Sequence, residues 1–281
     1  MVQVRGAAEG PPEPGAAGPG ASGGGDGAQA APGGPGDGAQ AAPGGPGDAA
    51  QSSSSGAAAP AEAPRGEARY YEQSIRLVLW RHGQTRWNVE GRFQGQSDIP
   101  LDEVGERQAE RAARLLAGLR PAAIVSSDLG RAMATAAPLA RLTGLTVILD
   151  KDLRERHGGC WEGLTDTEIR ERYPDAHATW TPPDGEQTAA VADRVAAALQ
   201  RTATAVGEQV AGRDGLAVVV SHGAALRLGM SRVLGLPDEL SGVLGPLSNC
   251  SWSVLSFRYG RWRLQEHNAG TLPEPVLSDD R

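Results

Sequence analysis

Two histidines, each followed by a glycine, are the residues of this sequence with the clearest chemical potential. One residue, Arg81, separates His82 from the apolar run 77–80, and one residue, Ser221, separates His222 from the apolar run 216–220. Short apolar runs of this kind are typical of strands that are buried on both faces of a parallel sheet. Because parallel strands end at one edge, where open α/β sheets bind ligands, both imidazoles are predicted to face one pocket. Gly83 is predicted to let a phosphate approach the backbone closely.

Two arginines accompany these histidines. Arg81 precedes His82 directly, and Arg131 follows a second predicted strand at 122–125. Two imidazoles and two guanidinium groups around one cavity are suited to hold a phosphate dianion by charge-assisted, partly bidentate hydrogen bonds. The alternative is four unrelated surface residues, which requires the same His-Gly ending to arise twice by accident. The pattern therefore favours a phosphate site.

Alternating strands and helices predict the fold class. Strands are predicted at 77–80, 122–125, 145–149 and 216–221, with helices at 102–119, 129–143 and 188–211. Two further runs, at 253–257 and 262–264, predict a terminal hairpin on the sheet edge. Strands that alternate with helices imply an α/β fold, a three-layer α/β/α sandwich with a mostly parallel sheet.

Two details of this prediction concern the connecting segments. The helix at 102–119 is predicted to be amphipathic, with a core face made of Val104, Ala109, Ala112, Leu115 and Leu116. The segment between the third strand and the helix at 188–211 contains three prolines and is predicted to be irregular.

Composition divides the chain into a tail and one domain. Of the 281 residues, 39 are Gly and 20 are Pro, and most of that excess precedes residue 65. The repeat at 25–35, which recurs at 36–46, contains almost nothing that could form a core. Such a segment cannot offset the entropy of ordering, so residues 1–69 are predicted to be a disordered tail. The catalytic domain is predicted at 70–272 and a C-terminal tail at 273–281.

Charge and cysteine content exclude several classes of function. A net charge of −7 argues against a nucleic-acid surface. No apolar run reaches membrane-spanning length, and the first residues lack the apolar core of a signal peptide, so no membrane partner and a cytoplasmic location are predicted. Cys160 and Cys250 cannot build a zinc site or a disulfide framework. No carboxylate cluster has metal spacing, so neither a metal nor another cofactor is predicted.

A series of motifs resembles the histidine phosphatase superfamily, the phosphoglycerate-mutase-like proteins. The resemblance covers roughly residues 74–265 and rests on Arg81-His82-Gly83-Gln84-Thr85 with Asn88, Ser126-Ser127-Asp128-Leu129 with Arg131, Leu153-Arg154-Glu155, Trp161-Glu162-Gly163-Leu164 and Ser221-His222-Gly223. Within that family the chain is similar to actinobacterial glucosyl-3-phosphoglycerate phosphatases through Trp180-Thr181-Pro182, Asn249-Cys250-Ser251-Trp252 and Arg261-Trp262-Arg263-Leu264. Where relatives usually carry Gly-Glu-Ser, this chain has Gly185-Glu186-Gln187.

Chemistry and the resemblance assign the same role to the first histidine. Neutral imidazole is a competent nucleophile, so His82 is predicted to attack phosphorus and form a phosphohistidine. Arg81, Arg131, Asn88 and a protonated His222 are predicted to hold the equatorial oxygens of the phosphoryl group. These cations would take the part that magnesium plays in other phosphoryl-transfer enzymes.

The remaining site residues are predicted to serve the leaving group and the substrate. Glu155 is the candidate acid that protonates the leaving alkoxide and then deprotonates water, with Glu162 as a weaker alternative. Gln94 is predicted to border the substrate, although a loop-tethering role fits equally well. Gly223 completes the predicted phosphate- and substrate-binding set.

The resemblance implies a metal-independent phosphomonoesterase that acts on a small-molecule phosphate ester, specifically a glycosylated phosphoglycerate. Trp161 and Trp180 could offer an aromatic face to a sugar ring, or could simply pack under a loop. The alternatives are a phosphoglycerate mutase, a broad-specificity acid phosphatase and a non-catalytic binding module. Glu155 and His222 lie 67 positions apart, which is short for the insert of cofactor-dependent mutases. Relatives in the family also suggest a homodimer.

Overall fold

The computed structural model describes residues 73–270, and both predicted tails, 1–69 and 273–281, lie outside the described residues. In chain order the strands and helices are β1 (Ile75–Arg81), α1 (Arg86–Val89), α2 (Glu103–Gly118), β2 (Ala123–Ser126), α3 (Gly130–Thr143), β3 (Val147–Leu149), α4 (Asp166–Arg172), α5 (Pro174–Ala178), α6 (Thr188–Val210), β4 (Gly215–Ser221), α7 (Gly223–Val233), β5 (Trp252–Arg258) and β6 (Arg261–Ala269). Short 3₁₀ turns occur at Lys151–Leu153, Gly159–Trp161 and Asp238–Leu240.

The described strands form one sheet in the order β3-β2-β4-β1-β5-β6. The first four strands of that order are parallel, whereas β5 runs antiparallel to β1 and β6 antiparallel to β5. The predicted α/β class, the mostly parallel sheet and the terminal hairpin at its edge are therefore confirmed. Strands β1 and β4 are neighbours, and Arg81 pairs in register with Ser221. This register is what places His82 beside His222.

Two apolar clusters, one on each face of the sheet, form the core. On one face, Leu77 and Leu79 of β1 and Ala217 and Val219 of β4 pack against helices α6 and α7. On the other face, Val78, Trp80, Val218 and Val220 pack against α2 and α3. Because successive side chains of a strand point to opposite faces, a strand buried on both faces must be apolar throughout. The continuous apolar runs of the sequence meet that requirement.

The core face of α2 differs from its prediction. Ala109, Ala112 and Leu116 are buried as predicted, but Val104 is 39% exposed and Leu115 is 55% exposed. The buried stripe also includes Gly105 and Ala113. An amphipathic helix turns a single face toward the core, and the small residues on this face allow α2 to lie close to the sheet. The larger Val104 and Leu115 lie beside it.

Four helices lie where none was predicted. Helices α4 and α5 occupy the segment that was predicted to be irregular, and α1 and α7 follow the two histidines. Helix α4 begins with a capping box between Thr165 and Glu168, and Pro174 begins α5. Both are recognisable helix-start signals, although the helices themselves are too short to show a periodic pattern. By contrast, α7 has no side-chain cap from its N-cap residue His222, so this start signal is missing.

Gly83 is required for a reason other than the predicted approach of phosphate. A Cβ atom on Gly83 would lie 2.5 Å from the carbonyl oxygen of Gly105, and a Cβ on Gly105 would lie 2.1 Å from the carbonyl oxygen of Gln84. The segment after β1 therefore packs backbone to backbone against the first turn of α2.

None of the helices between residues 73 and 270 combines the length and apolarity needed to span a bilayer.

Candidate active site

The two histidines predicted to share a pocket are in contact at the carboxyl ends of β1 and β4. Their ring centroids lie 5.2 Å apart. His82 is 2% exposed, and His222 is fully buried. The backbone N–H of His82 donates to the carbonyl of Ser221 at 3.0 Å, so the sheet hydrogen bonding extends to the first histidine.

The surroundings of His82 fix its tautomer. Its Nδ1 lies 2.7 Å from the carbonyl oxygen of Gly83. Because a carbonyl can only accept, Nδ1 carries the proton and Nε2 keeps its lone pair. Burial, followed by the charges of Arg131 and Arg81, holds the pKa of His82 well below its usual value. The ring is therefore neutral at neutral pH, which is the form that acts as a nucleophile.

His222 is also neutral in the site without phosphate. Its Nδ1 accepts from Nε of Arg131 at 3.2 Å, so its Nε2 carries the proton and donates to Oγ of Ser127 at 2.9 Å. Burial is the main reason that the pKa of His222 lies well below its usual value, and the charge of Arg131 adds to it. The sequence predicted a protonated His222, whereas these surroundings favour the neutral ring.

Arg131 is fully buried and connects the histidines to the loop after Gln94. Besides its bond to His222, it donates from its terminal nitrogens to the carbonyls of Ser97 and Gly95, both at 2.7 Å. Burial lowers the pKa of Arg131, and the negative charge of Glu155 opposes that effect. The guanidinium thus occupies the predicted position, with the loop wrapped around it.

Arg81 has a buried donor without a partner. One of its terminal nitrogens donates to the carbonyl of Leu247, but its Nε makes no hydrogen bond within the described part of the chain. A Cβ atom on Gly223 would lie 3.4 Å from this same Nε. Burial lowers the pKa of Arg81, with the charge of Glu155 acting in the opposite direction. An unpartnered buried N–H beside His82 is suited to receive an anion.

Glu155 lies at the amino-terminal end of α7. Its Oε1 accepts from the backbone N–H groups of Arg156 at 2.8 Å and Ala225 at 2.9 Å, and its Oε2 accepts from Ala224 at 3.1 Å. These bonds satisfy amides that the helix leaves unpaired, at the positive end of its dipole. Its charge acts on both Arg81 and Arg131, so the predicted acid is brought to the histidine pocket.

Glu162, the weaker candidate acid, has a different arrangement. Its two oxygens accept from the backbone N–H groups of Gln96, Ser97 and Gly158, all at 2.9 Å, and from the Ser97 hydroxyl. Burial would raise the pKa of Glu162, but the hydrogen bond from Ser97 and those from the backbone outweigh it and lower the pKa. With these bonds Glu162 holds the loop 96–97 in place. Both glutamates accept from three backbone amides, but the charge of Glu155 is the leading opposing one on both Arg81 and Arg131, whereas the charge of Glu162 acts on Arg131 alone of the two, and after that of Asp98. The geometry therefore favours Glu155 as the acid.

Asn88 and Gln94 differ in whether their side-chain oxygens have hydrogen-bond partners. The Oδ1 atom of Asn88 accepts from the backbone and hydroxyl of Thr85, both at 3.1 Å, and from Nδ2 of Asn249. Asn88 is therefore first a capping residue of α1, and only its amide nitrogen remains for a phosphate. Gln94 is buried, and its Oε1 has no partner among the described residues. That oxygen tethers no loop.

Aromatic residues form a cluster beneath the segment that precedes α6. Trp161 is fully buried and lies 5.1 Å from Trp180 and 6.0 Å from Phe93, measured between ring centroids. Trp161 is therefore a packing residue and offers no face to a sugar. Trp180 is 43% exposed, so only this tryptophan of the pair keeps that option.

Three residues near the site were not singled out from the sequence. The hydroxyl oxygen of Ser127 accepts a hydrogen bond from Nε2 of His222, Asn249 donates to the carbonyl of His82 at 3.2 Å, and Arg194 donates to the backbone carbonyl of Glu155. Ser127 and Asn249 lie within the motifs of the family resemblance, so those motifs were an available signal. Arg194 lies inside an Ala-rich helix, where nothing in the local pattern marks it.

Within residues 73–270, no group of three or more His, Cys, Asp or Glu side chains is arranged to hold a metal.

The buried neutral histidines predict an acid-sensitive stability. The folded-state pKa of His82 and His222 is lowered, so below the unfolded value of about 6.5 the unfolded chain binds more protons. Stability that is present above that pH is lost as the pH falls toward the folded pKa, with a limiting slope of about 1.4 kcal/mol per pH unit for each histidine. Urea unfolding at neutral pH and one to two units lower should show this loss.

The variant His222→Gln provides the comparison for that experiment. It removes one of the two titrating rings, so its free energy of unfolding should fall less steeply with acid than that of the unsubstituted protein. Equal slopes for the two proteins would contradict the assignment of a neutral, buried His222.

The chain was compared with protein families and with individual proteins. The family model of the histidine phosphatase superfamily (branch 1) matches residues 77–270. A glucosyl-3-phosphoglycerate phosphatase of Mycolicibacterium vanbaalenii is 39% identical over 212 residues, covering 69% of this chain and 94% of the relative. A probable phosphoglycerate mutase of Escherichia coli is 37% identical over 195 residues, covering 67% of this chain and 87% of the relative.

A solved structure agrees with these sequence relationships. The mycobacterial glucosyl-3-phosphoglycerate phosphatase in complex with VO3 is 40% identical and superposes with a TM-score of 0.65. The superposition covers 69% of this chain and 99% of that structure. It therefore spans nearly the whole of the solved relative.

Proposed function

The chain belongs to the histidine phosphatase superfamily, branch 1, and is a phosphatase of that family; from this premise we propose that it hydrolyses glucosyl-3-phosphoglycerate through a phosphohistidine formed on His82. The observation that carries the mechanism is the hydrogen bond from Nδ1 of His82 to Gly83. It directs the lone pair of Nε2 outward for attack on phosphorus. Covalent transfer to a histidine divides one difficult displacement into two easier ones.

Arg81, Arg131 and His222 hold the phosphoryl group. The unpartnered Nε of Arg81 and the terminal nitrogens of Arg131 supply donors for its equatorial oxygens. A phosphate dianion beside His222 favours the protonated form of that ring, so His222 gains its second proton only when substrate is bound, while His82 stays neutral to attack. This change accounts for both the neutral ring without phosphate and the protonated donor that the chemistry requires.

Glu155 transfers the proton at the leaving oxygen. Its Oε2 atom accepts a single hydrogen bond, from Ala224, which leaves a lone pair for proton exchange. In the first step the carboxyl group protonates the departing alkoxide, and in the second it takes a proton from the water that attacks phosphohistidine. Two guanidinium groups and the His222 ring balance the phosphoryl charge, so the proposed mechanism requires no metal.

Asn88, Gln94 and Gly223 complete the proposed substrate site. Gly223 borders the open donor of Arg81, and the amide nitrogen of Asn88 is available to a phosphate oxygen. The Oε1 atom of Gln94 has no partner among the described residues, so a substrate hydroxyl is a suitable donor to it.

The substrate proposal is supported by the named relatives and by the half-exposed Trp180. The test is a panel of phosphate esters ranked by kcat/KM, with chelator present throughout. We expect glucosyl-3-phosphoglycerate to be turned over at least about 10-fold faster than 3-phosphoglycerate or a simple sugar phosphate, because pocket contacts are worth about 1–3 kcal/mol each. Equal rates would leave only the broader phosphatase activity. Loss of activity with chelator would contradict the metal-independent mechanism.

A phosphoglycerate mutase is the second candidate, because some relatives of comparable identity are described as probable mutases. A mutase must keep the phosphoryl group away from water and return it to a second hydroxyl. Incubation with 3-phosphoglycerate distinguishes the two activities, since a mutase yields the isomeric phosphoglycerate whereas a phosphatase yields inorganic phosphate.

A further inference from the structure

Arg194, on α6, uses all of its N–H donors to hold one short piece of backbone and one carboxylate. A guanidinium has five N–H donors. Here Nε and one terminal nitrogen donate to the two carboxylate oxygens of Glu186, at 2.6 and 2.8 Å. The terminal nitrogens also donate to the carbonyls of Asp152 and Arg154, both at 2.7 Å, and of Glu155 at 3.1 Å.

The backbone that Arg194 holds is the one from which Glu155 projects. The carbonyl of Glu155 also accepts from Nε2 of Gln96 at 3.1 Å, so two separate side chains fix this peptide group. The carboxylate in turn reaches the amides of Ala224 and Ala225. A carboxyl group that transfers a proton must lie within hydrogen-bond reach of the leaving oxygen, and a shift of about 1 Å can cost about 10²-fold in rate.

Glu186 supplies the charge that keeps Arg194 in place. Burial would raise the pKa of Glu186, but the hydrogen bonds and charge of Arg194 outweigh it and lower the pKa. The backbone of Gly185, just before Glu186, packs closely against the backbone of His157, since a Cβ on Gly185 would lie 2.9 Å from the carbonyl oxygen of His157. Arg156, next to Glu155, also donates to the Glu186 carbonyl at 2.7 Å. The segment before α6 is thus joined to the segment that carries the acid.

We propose that Arg194 is a positioning residue that acts through Glu155: with Glu186 it holds the Glu155 backbone where the carboxyl group can protonate the leaving oxygen. This inference rests on the proposed role of Glu155 in catalysis. Arg194 itself touches neither phosphate nor leaving group, so its loss should weaken proton transfer and leave the attack by His82 intact.

The leaving group distinguishes this role from general stabilisation. Dinitrophenolate departs without a proton, whereas a sugar or glycerate alkoxide needs one. For Arg194→Lys, which keeps the charge but loses the five-donor fork, we expect kcat/KM to fall by less than about 3-fold with dinitrophenyl phosphate and by about 10- to 100-fold with alkyl phosphates. A loss of equal size with every leaving group, or no loss with any, would overturn the proposal.

Arg201→Lys is the matched control. Arg201 lies on the same helix and the same side, but its side chain is 53% exposed, and within residues 73–270 its hydrogen bonds go to the carboxylates of Asp150 and Asp152. Its variant should keep the kinetic constants of the unsubstituted protein with all leaving groups. If Arg194→Lys does not fold, Glu186→Gln provides the same test, because it removes the opposing charge while Arg194 stays. It should show the same selective loss, and a uniform loss would overturn the proposal equally.

The double variant separates this inference from the proposed function. If Arg194 acts through Glu155, then Arg194→Lys combined with Glu155→Gln should be no more selective against alkyl phosphates than Glu155→Gln alone. Additive losses would overturn the positioning role and leave the role of Glu155 intact. If Glu155→Gln alone shows no selectivity for the leaving group, Glu155 is not the acid, and the proposed mechanism and this inference fail together.

Discussion

His82→Asn lowers kcat by at least about 10⁴-fold and abolishes the phosphoenzyme, if the proposed mechanism holds. The amide group of asparagine can still donate to the Gly83 carbonyl, as Nδ1 of the histidine does at 2.7 Å. What the variant lacks is the lone pair of Nε2, and no neighbouring group can replace it, because Nδ1 and Nε2 of His222 are both engaged, with Arg131 and Ser127. The measurement is rapid-quench trapping with a phosphate-labelled substrate, scored as acid-labile, base-stable protein phosphate.

His222→Ala is the comparison for this experiment. It removes a donor to the phosphoryl group while the attacking nitrogen remains, so turnover should fall but labelled protein should still form. Acid-labile phosphate on the His82→Asn protein would reassign the nucleophile.

Glu155→Gln should reduce kcat/KM for glucosyl-3-phosphoglycerate by about 10²- to 10³-fold. Glutamine retains an oxygen that can accept from the amides of Ala224 and Ala225, so the amino-terminal end of α7 stays partly capped. The amide cannot exchange the proton that an alkoxide leaving group requires. With dinitrophenyl phosphate, whose leaving group needs no proton, formation of the phosphoenzyme should slow by less than about 10-fold.

Glu162→Gln provides the matched control for that substitution. Glu162 is a partly buried glutamate seven positions further along the chain, and it also accepts from backbone amides, those of Gln96, Ser97 and Gly158. Its loss should affect the loop and therefore KM, with the same factor for good and poor leaving groups. A loss specific to alkyl phosphates in Glu162→Gln, and absent from Glu155→Gln, would exchange the roles of the two carboxylates.

The two glutamates show how far sequence patterns determine a candidate site. Each lies in a family motif, and the sequence ranked Glu155 above Glu162 by chemistry and resemblance alone. The structure supplies an independent reason, since the charge of Glu155 is the leading opposing one on both Arg81 and Arg131, whereas that of Glu162 acts on Arg131 alone of the two. Glu162 in turn accepts from the hydroxyl of Ser97 as well as from three backbone amides. Both carboxylates also accept hydrogen bonds from residues 65 to 70 positions away, and such partners leave no trace in a local pattern.

For the two histidines as well, the sequence predicts the location but not the protonation state. Apolar runs of strand length are local signals, and the rule that parallel strands end at one edge places His82 and His222 at the same edge of the sheet. Their contact also requires that β1 and β4 be neighbours, which only the structure shows. Their protonation states are another matter. The sequence predicted a protonated His222 that holds the phosphoryl group. Without phosphate the ring is buried beside Arg131 and accepts its Nε–H, so the neutral form is favoured in that state. Burial and the approach of a charge depend on how distant segments pack.

The sequence by itself therefore determined the mostly parallel sheet and the edge at which the site lies, because these follow from apolar periodicity and from short motifs that continue into the loops. The order of the strands came from the structure. Only the tertiary structure decided which way each ring nitrogen faces, that Gly83 serves backbone packing, and that Trp161 is a core residue. It also decided the place of Arg194. A single arginine in an Ala-rich helix has no distinguishing neighbours along the chain, and its role exists only because folding brings the carbonyls of 152–155 to its five donors.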